Sequence, residues 1–260
     1  MTMTDLDLAH AAMQADPDDD AARLRFYARL ADTEVFLLLA AEPSGDTVDP
    51  ALFEVEGARF ALIFDSEERL SSFTGRVVPY AGLPARALAG MMAGQGIGLA
   101  LNLDVAPSAM LIPAEAVDWL VDTLSHAPQE AEARLTGIAA PQGLPAAVLS
   151  ALDRKLAVAG ALADRAYLAA ASYAGGGTGH VLVFVEAVAG AETQLANAAA
   201  EALRFSGIEA GVMDVMFARN GDPLTARLDR VGLRFDLPKP EPRQAPAAPG
   251  SDPDKPPRLR

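Results

Sequence analysis

The sequence predicts an α+β (α/β) protein of two domains, each a small mixed sheet covered by helices. Short apolar runs with strand character alternate with stretches of helical period along most of the 260 residues. A segment at 127–145, holding three prolines and two glycines, interrupts that pattern without a period of its own. The length suits two domains of about 120 residues. The expected division is a first domain at 1–126, a connector at 127–144, a second domain at 145–237 and a tail at 238–260.

In the first domain, residues 4–16 and 18–32 read as helices parted by Pro17, which biases Asp16 away from helical angles. Asp18, Asp19 and Asp20 open the second helix, where carboxylates cap free N–H groups and favour the dipole. Leu24, Tyr27, Ala28 and Ala31 share one of its faces. TEVFLLLAA at 33–41 is a buried strand, followed by the turn-rich EPSGDTVDP.

Residues 58–65 form the next strand, and 66–72 a short helix capped by Asp65 or Ser66, with Glu67 and Glu68 in its first turn. A short strand is expected at 76–80. A helix at 84–92 starts with a proline, where the missing N–H costs nothing. Gly94-Gln95-Gly96 stops it, and 97–103 is a strand. The helix at 113–125 carries an apolar stripe of Val117, Leu120, Val121 and Leu124.

The connector has room for one short strand at 133–138. Beyond it the order is helix (145–159), strand (165–173), GGGTG turn, strand (180–186), helix (191–205), strand (211–218) and helix (223–229). That order suggests a mixed sheet with its helices on one side. The tail has eight prolines in 23 residues and almost nothing to bury, so disorder is expected there.

The net charge is −14, of which the tail contributes +2, so residues 1–237 carry −16. A body that acidic repels phosphate backbones, and nucleic-acid binding is not expected. The opening MTMTDLDLAH lacks a basic and then apolar leader. The longest strongly apolar run, 35–41, is seven residues, against the roughly 20 needed to cross a bilayer. There is no cysteine, which removes disulfides and thiolate chemistry. A soluble cytoplasmic protein without membrane contact is expected.

Two segments carry a resemblance to a known family: Phe64-Asp65-Ser66-Glu67-Glu68-Arg69-Leu70 and Gly98-Leu99-Ala100-Leu101-Asn102. They resemble the SseB family, named for enhanced serine sensitivity in enteric bacteria. That family usually has Phe-Thr-Ser before its short helix and Asn-Pro-Gly after the later strand. Here Asp65 replaces the threonine, and Leu103-Asp104 replace proline and glycine. The likeness extends over roughly residues 20–236 and includes the family's second domain. It implies two α/β domains and a role near serine tolerance or regulation, and brings no catalytic residues with it. An unrelated secretion-system translocon component shares the name, so no virulence role follows from it.

The 65–69 junction places a carboxylate, a hydroxyl and free N–H groups at a strand end, where α/β sheets put ligand sites. The candidate binding residues are Asp65, Ser66, Arg69 and Asn102. The plainer reading, which is favoured, is that Asp65 or Ser66 caps the helix and Asn102 caps its own turn. Gly94–Gly98 does not form a dinucleotide loop, because it follows a helix and opens a strand. Gly175–Gly179 reads as a hairpin turn. His10, His126 and His180 make no pair at metal spacing, and 16–27 lacks the glycine and glutamate of a calcium loop. No catalytic residue, metal or cofactor is expected.

Trp119 is the exception to these plain readings. It lies about 200° around its helix from Val117, beside Glu115, Asp122 and Thr123 on the face expected to be wet. Either the connector and second domain cover it or it is an interface for another chain. The sequence therefore favours a non-catalytic regulatory or protein-interaction protein, with a protein partner or self-association. One alternative is a small-molecule sensor or enzyme acting at Asp65 and Asn102. Another is a secretion-related chaperone.

Overall fold

Two mixed sheets, one of six strands and one of five, organise the chain. The computed structural model describes residues 2–42, 48–125, 134–206 and 213–237. The expected tail, His126, and the first part of the connector lie outside the described residues.

The first domain runs α1 (Asp5–Ala15), α2 (Asp20–Asp32), β1 (Glu34–Leu38), β2 (Leu52–Val55), β3 (Ala58–Phe64), α3 (Glu67–Thr74), β4 (Tyr80–Pro84), α4 (Ala85–Met92), β5 (Ile97–Leu101), β6 (Met110–Ile112) and α5 (Ala114–Ser125). Its sheet has the order β4-β1-β3-β5-β6, with β2 also paired to β3. Only β3 and β5 run parallel to one another, Ala61 facing Leu99. Alternation along the strands divides the apolar residues between two faces. Val35, Leu37, Leu99 and Leu101 pack with Phe26, Leu30 and Leu88 in the larger core. Phe60, Leu62, Phe64 and Ala100 point the other way, under Leu70 and Phe73 of α3.

The strand expected at 76–80 lies at 80–84 instead. Gly75 ends α3 at φ 61°, and the chain must cross to β1 before it can pair. Pairing then runs from Tyr80 opposite Leu38 to Pro84 opposite Glu34. Val77, expected within the strand, is fully exposed. β2 and β6 were not expected. At four and three residues they are too short to show a period, and their pairing partners define them.

The second domain runs β7 (Leu135–Ala139), α6 (Ala146–Val158), β8 (Arg165–Tyr173), β9 (Thr178–Val185), α7 (Glu192–Arg204), β10 (Met213–Ala218), α8 (Pro223–Val231) and β11 (Leu233–Asp236). The sheet order is β10-β9-β8-β11, with β7 also on β8. The glycines 175–177 lie in the hairpin turn between β8 and β9, and Thr178 and Gly179, expected in that turn, already belong to β9, Ser172 facing Thr178. The expected strand in the connector exists as β7 and joins this sheet.

The helices do not share one side of it. Leu152, Leu156, Leu195 and Ala199 of α6 and α7 pack on Leu168, Leu182 and Phe184. Leu228 of α8 packs on the opposite face with Tyr167, Val181, Val183 and Val185. Both faces of β8 and β9 are apolar, so both need cover. Among the described residues no helix is long and apolar enough to cross a membrane.

Candidate functional site

The four residues singled out at the strand ends converge in the structure. β3 delivers Asp65 at its C-terminal end, and α3 follows at once, its first turn capped by Ser66, whose Oγ accepts from the Arg69 N–H at 3.2 Å. Ser66, not Asp65, is therefore the cap. One turn into α3, Arg69 points back and its Nη1 donates to both Asp65 carboxylate oxygens, at 2.8 and 2.9 Å. Asn102 leaves β5, parallel and adjacent to β3, and its Oδ1 accepts from the Asp65 N–H at 3.1 Å. Asn102 has φ 48°, a left-handed angle that asparagine tolerates better than most residues.

Three further residues complete the cluster. Thr4 Oγ1 donates to Asp65 at 2.7 Å. Asp7, on the first turn of α1, accepts from both terminal nitrogens of Arg69 and from Ser108 Oγ at 2.5 Å. Asn102 Nδ2 donates in turn to Ser108 Oγ at 2.9 Å. The sequence did carry a trace of this. Thr4 and Asp7 form a capping box, and Asp7 lies on the buried face of α1 with Leu6, His10 and Met13. A carboxylate on an apolar stripe must find a partner. Ser108 had no such signal, because only the turn after β5 brings it there.

The arrangement is dry and internally satisfied. The side chains of Arg69, Asp7 and Asp65 are 3%, 0% and 1% exposed. Burial alone would raise the Asp7 carboxyl. Hydrogen bonds from Arg69, Ser108 and Thr4 outweigh that, and hold it well below the usual carboxylate range. Burial likewise opposes the charge on Arg69, and its two carboxylates more than compensate. Chemically, the cluster ties α1, the β3–α3 junction and the turn after β5 into one unit. Clefts of about 370 and 380 Å³ lie elsewhere, and none of these residues lines either of them.

Trp119 lies at the junction of the two domains. Its indole meets Tyr27 of α2 edge-on at 5.2 Å and Phe205, just after α7, at 6.4 Å. Phe205 is 2% exposed and packs into the first domain's core. Trp119 itself keeps 40% of its surface exposed. Thr123, expected on the wet face with it, is buried, and its carbonyl accepts from Arg204. Beside this contact, Arg86 of α4 holds Glu201 of α7 through two hydrogen bonds of 3.1 Å. Lys155 of α6 bridges Glu201 and Asp32 at 2.8 and 2.7 Å. Burial would raise Glu201, but the two cations lower it.

His10 is buried against Phe26, which lowers its pKa through desolvation. His180 bonds the Gln142 carbonyl at 3.0 Å. Among the described residues no group of histidine, aspartate and glutamate could hold a metal ion.

Residues 6–119 match the family model described as SseB protein N-terminal domain. No curated protein and no solved structure matches the chain. The matched span runs from α1 into α5 and includes Asp7, Asp65, Arg69, Asn102 and Ser108. The first domain of this chain belongs to the SseB N-terminal domain family.

Proposed function

We propose that the protein is a non-catalytic, cytoplasmic regulatory or protein-interaction protein, acting through its surface rather than through a catalytic centre. One observation carries the reading. The charged groups where a site would sit, Asp7, Asp65 and Arg69, are bound to one another and closed to solvent. Groups arranged in that way hold elements together rather than present themselves to a substrate. The acidic body adds a solubilising field and disfavours nucleic acid. In this reading the second domain is the family's own C-terminal partner domain, and the regulation concerns serine tolerance.

The alternative of a small-molecule sensor draws on the convergence of Asp65 and Asn102 at one sheet edge. It requires the cluster to open. Native purification from lysate, with proteins and metabolites in the eluate identified together, separates the two. A protein partner without a stoichiometric metabolite is expected. A metabolite retained at one per chain would overturn the reading in favour of the sensor.

A further inference from the structure

A groove of about 380 Å³ runs between α2 and α5, with Leu24, Tyr27, Ala116 and Trp119 as walls and Asp20 and Arg23 at its rim. The Tyr27 and Trp119 rings meet at 68° and make an aromatic corner. Tyr27 is itself buried, while Trp119 keeps 40% of its surface exposed. Arg23 is paired with Asp20. The groove is thus apolar and aromatic, with one ion pair at its rim.

That chemistry suits an extended proline-rich segment. The pyrrolidine rings of such a segment pack on aromatic faces. We propose that the groove is the docking site of this chain's own tail, residues 238–260, bound in the same molecule. The tail has eight prolines, including the pairs Pro246/Pro249 and Pro253/Pro256 at the three-residue spacing of a polyproline helix. It carries +2 against −16 for the rest, and its last residues hold Lys255, Arg258 and Arg260.

Reach is sufficient. Leu237 is buried in the second domain's core, and its N–H donates to the carbonyl of Asp164, a few residues past the end of α6. Lys155 at that end bonds Asp32 of α2, the helix that carries Tyr27. Twenty-three residues extended at about 3.1 Å each span roughly 70 Å. The distance along α2 from Asp32 to Leu24 is only about 12 Å. The docking is independent of whether the protein is catalytic.

The test uses the full chain, in which Trp119 is the sole tryptophan. Its emission and acrylamide quenching are compared with a variant in which Pro246, Pro249, Pro253, Pro256 and Pro257 are each replaced by alanine. The variant should emit further to the red and lose shielding. A synthetic peptide of residues 246–260, added to the variant, should restore both. Identical emission and quenching in the two proteins would overturn the proposal. So would equal restoration by a peptide with alanine in place of every proline, which would mean charge alone. Shielding of the native chain that vanishes on dilution would place the tail on another copy and overturn docking within one molecule.

Discussion

The Arg69 guanidinium holds the Asp7 carboxylate, sixty-two residues earlier in the chain, in a contact closed to solvent. The same guanidinium holds Asp65, four residues earlier. One cation therefore fixes two carboxylates from two elements. Removing it would leave both buried and uncompensated. We expect Arg69→Met to cost about 3–5 kcal/mol in urea unfolding, the range for breaking a buried ion pair. Ser66→Ala, which loses only the cap of α3, should cost about 0.5–2 kcal/mol. Equal small effects from both would mean that the cluster contributes little to the fold.

Acid should loosen the same contact. The Asp7 pKa in the folded protein lies below its unfolded value, so its contribution is full above the unfolded pKa and declines as pH falls below about 4. Glu201 is shifted in the same direction and adds to the trend. The stability difference between the native chain and Asp7→Asn should therefore be largest at neutral pH and shrink as pH drops toward 2. A difference that stayed constant across that range would contradict the assignment.

The domain junction should respond to Phe205. This residue comes from the second domain but packs in the first domain's core beside Trp119. Phe205→Ala should cost about 3–5 kcal/mol, as usual for a buried phenylalanine. It should also shift Trp119 emission to the red by removing an aromatic neighbour. Unchanged fluorescence with an unchanged unfolding midpoint would show that the two domains do not meet at this pair.

Much of the fold was legible because its longer elements carry strong periods. The α2 and α5 helices, the apolar runs of β3 and β5, and the GGGTG hairpin all announce themselves locally. The short edge strands β2, β6 and β11 do not, since three or four residues cannot show alternation and their partners lie far along the chain. The position of α8 on the second face of its sheet follows from apolar residues on both sides of β8 and β9, a signal easily taken for one buried face. At the candidate site, Asp65, Ser66, Arg69 and Asn102 stood out at strand ends, where backbone groups are free. Asp7 and Ser108 did not, because the turn after β5 and the packing of α1 supply their partners.

Asp65→Asn tests most directly whether this cluster is a structural tie or a binding site. The substitution keeps the shape but weakens the pairing with Arg69. Unfolding free energy and the composition of the native eluate are measured on the same preparation. We expect lower stability, by about 1–3 kcal/mol for a weakened charge-assisted hydrogen bond, with the eluate unchanged at temperatures where the variant is folded. Stability equal to or above that of the native chain, together with loss of a bound molecule, would contradict the structural role and assign Asp65 to a site.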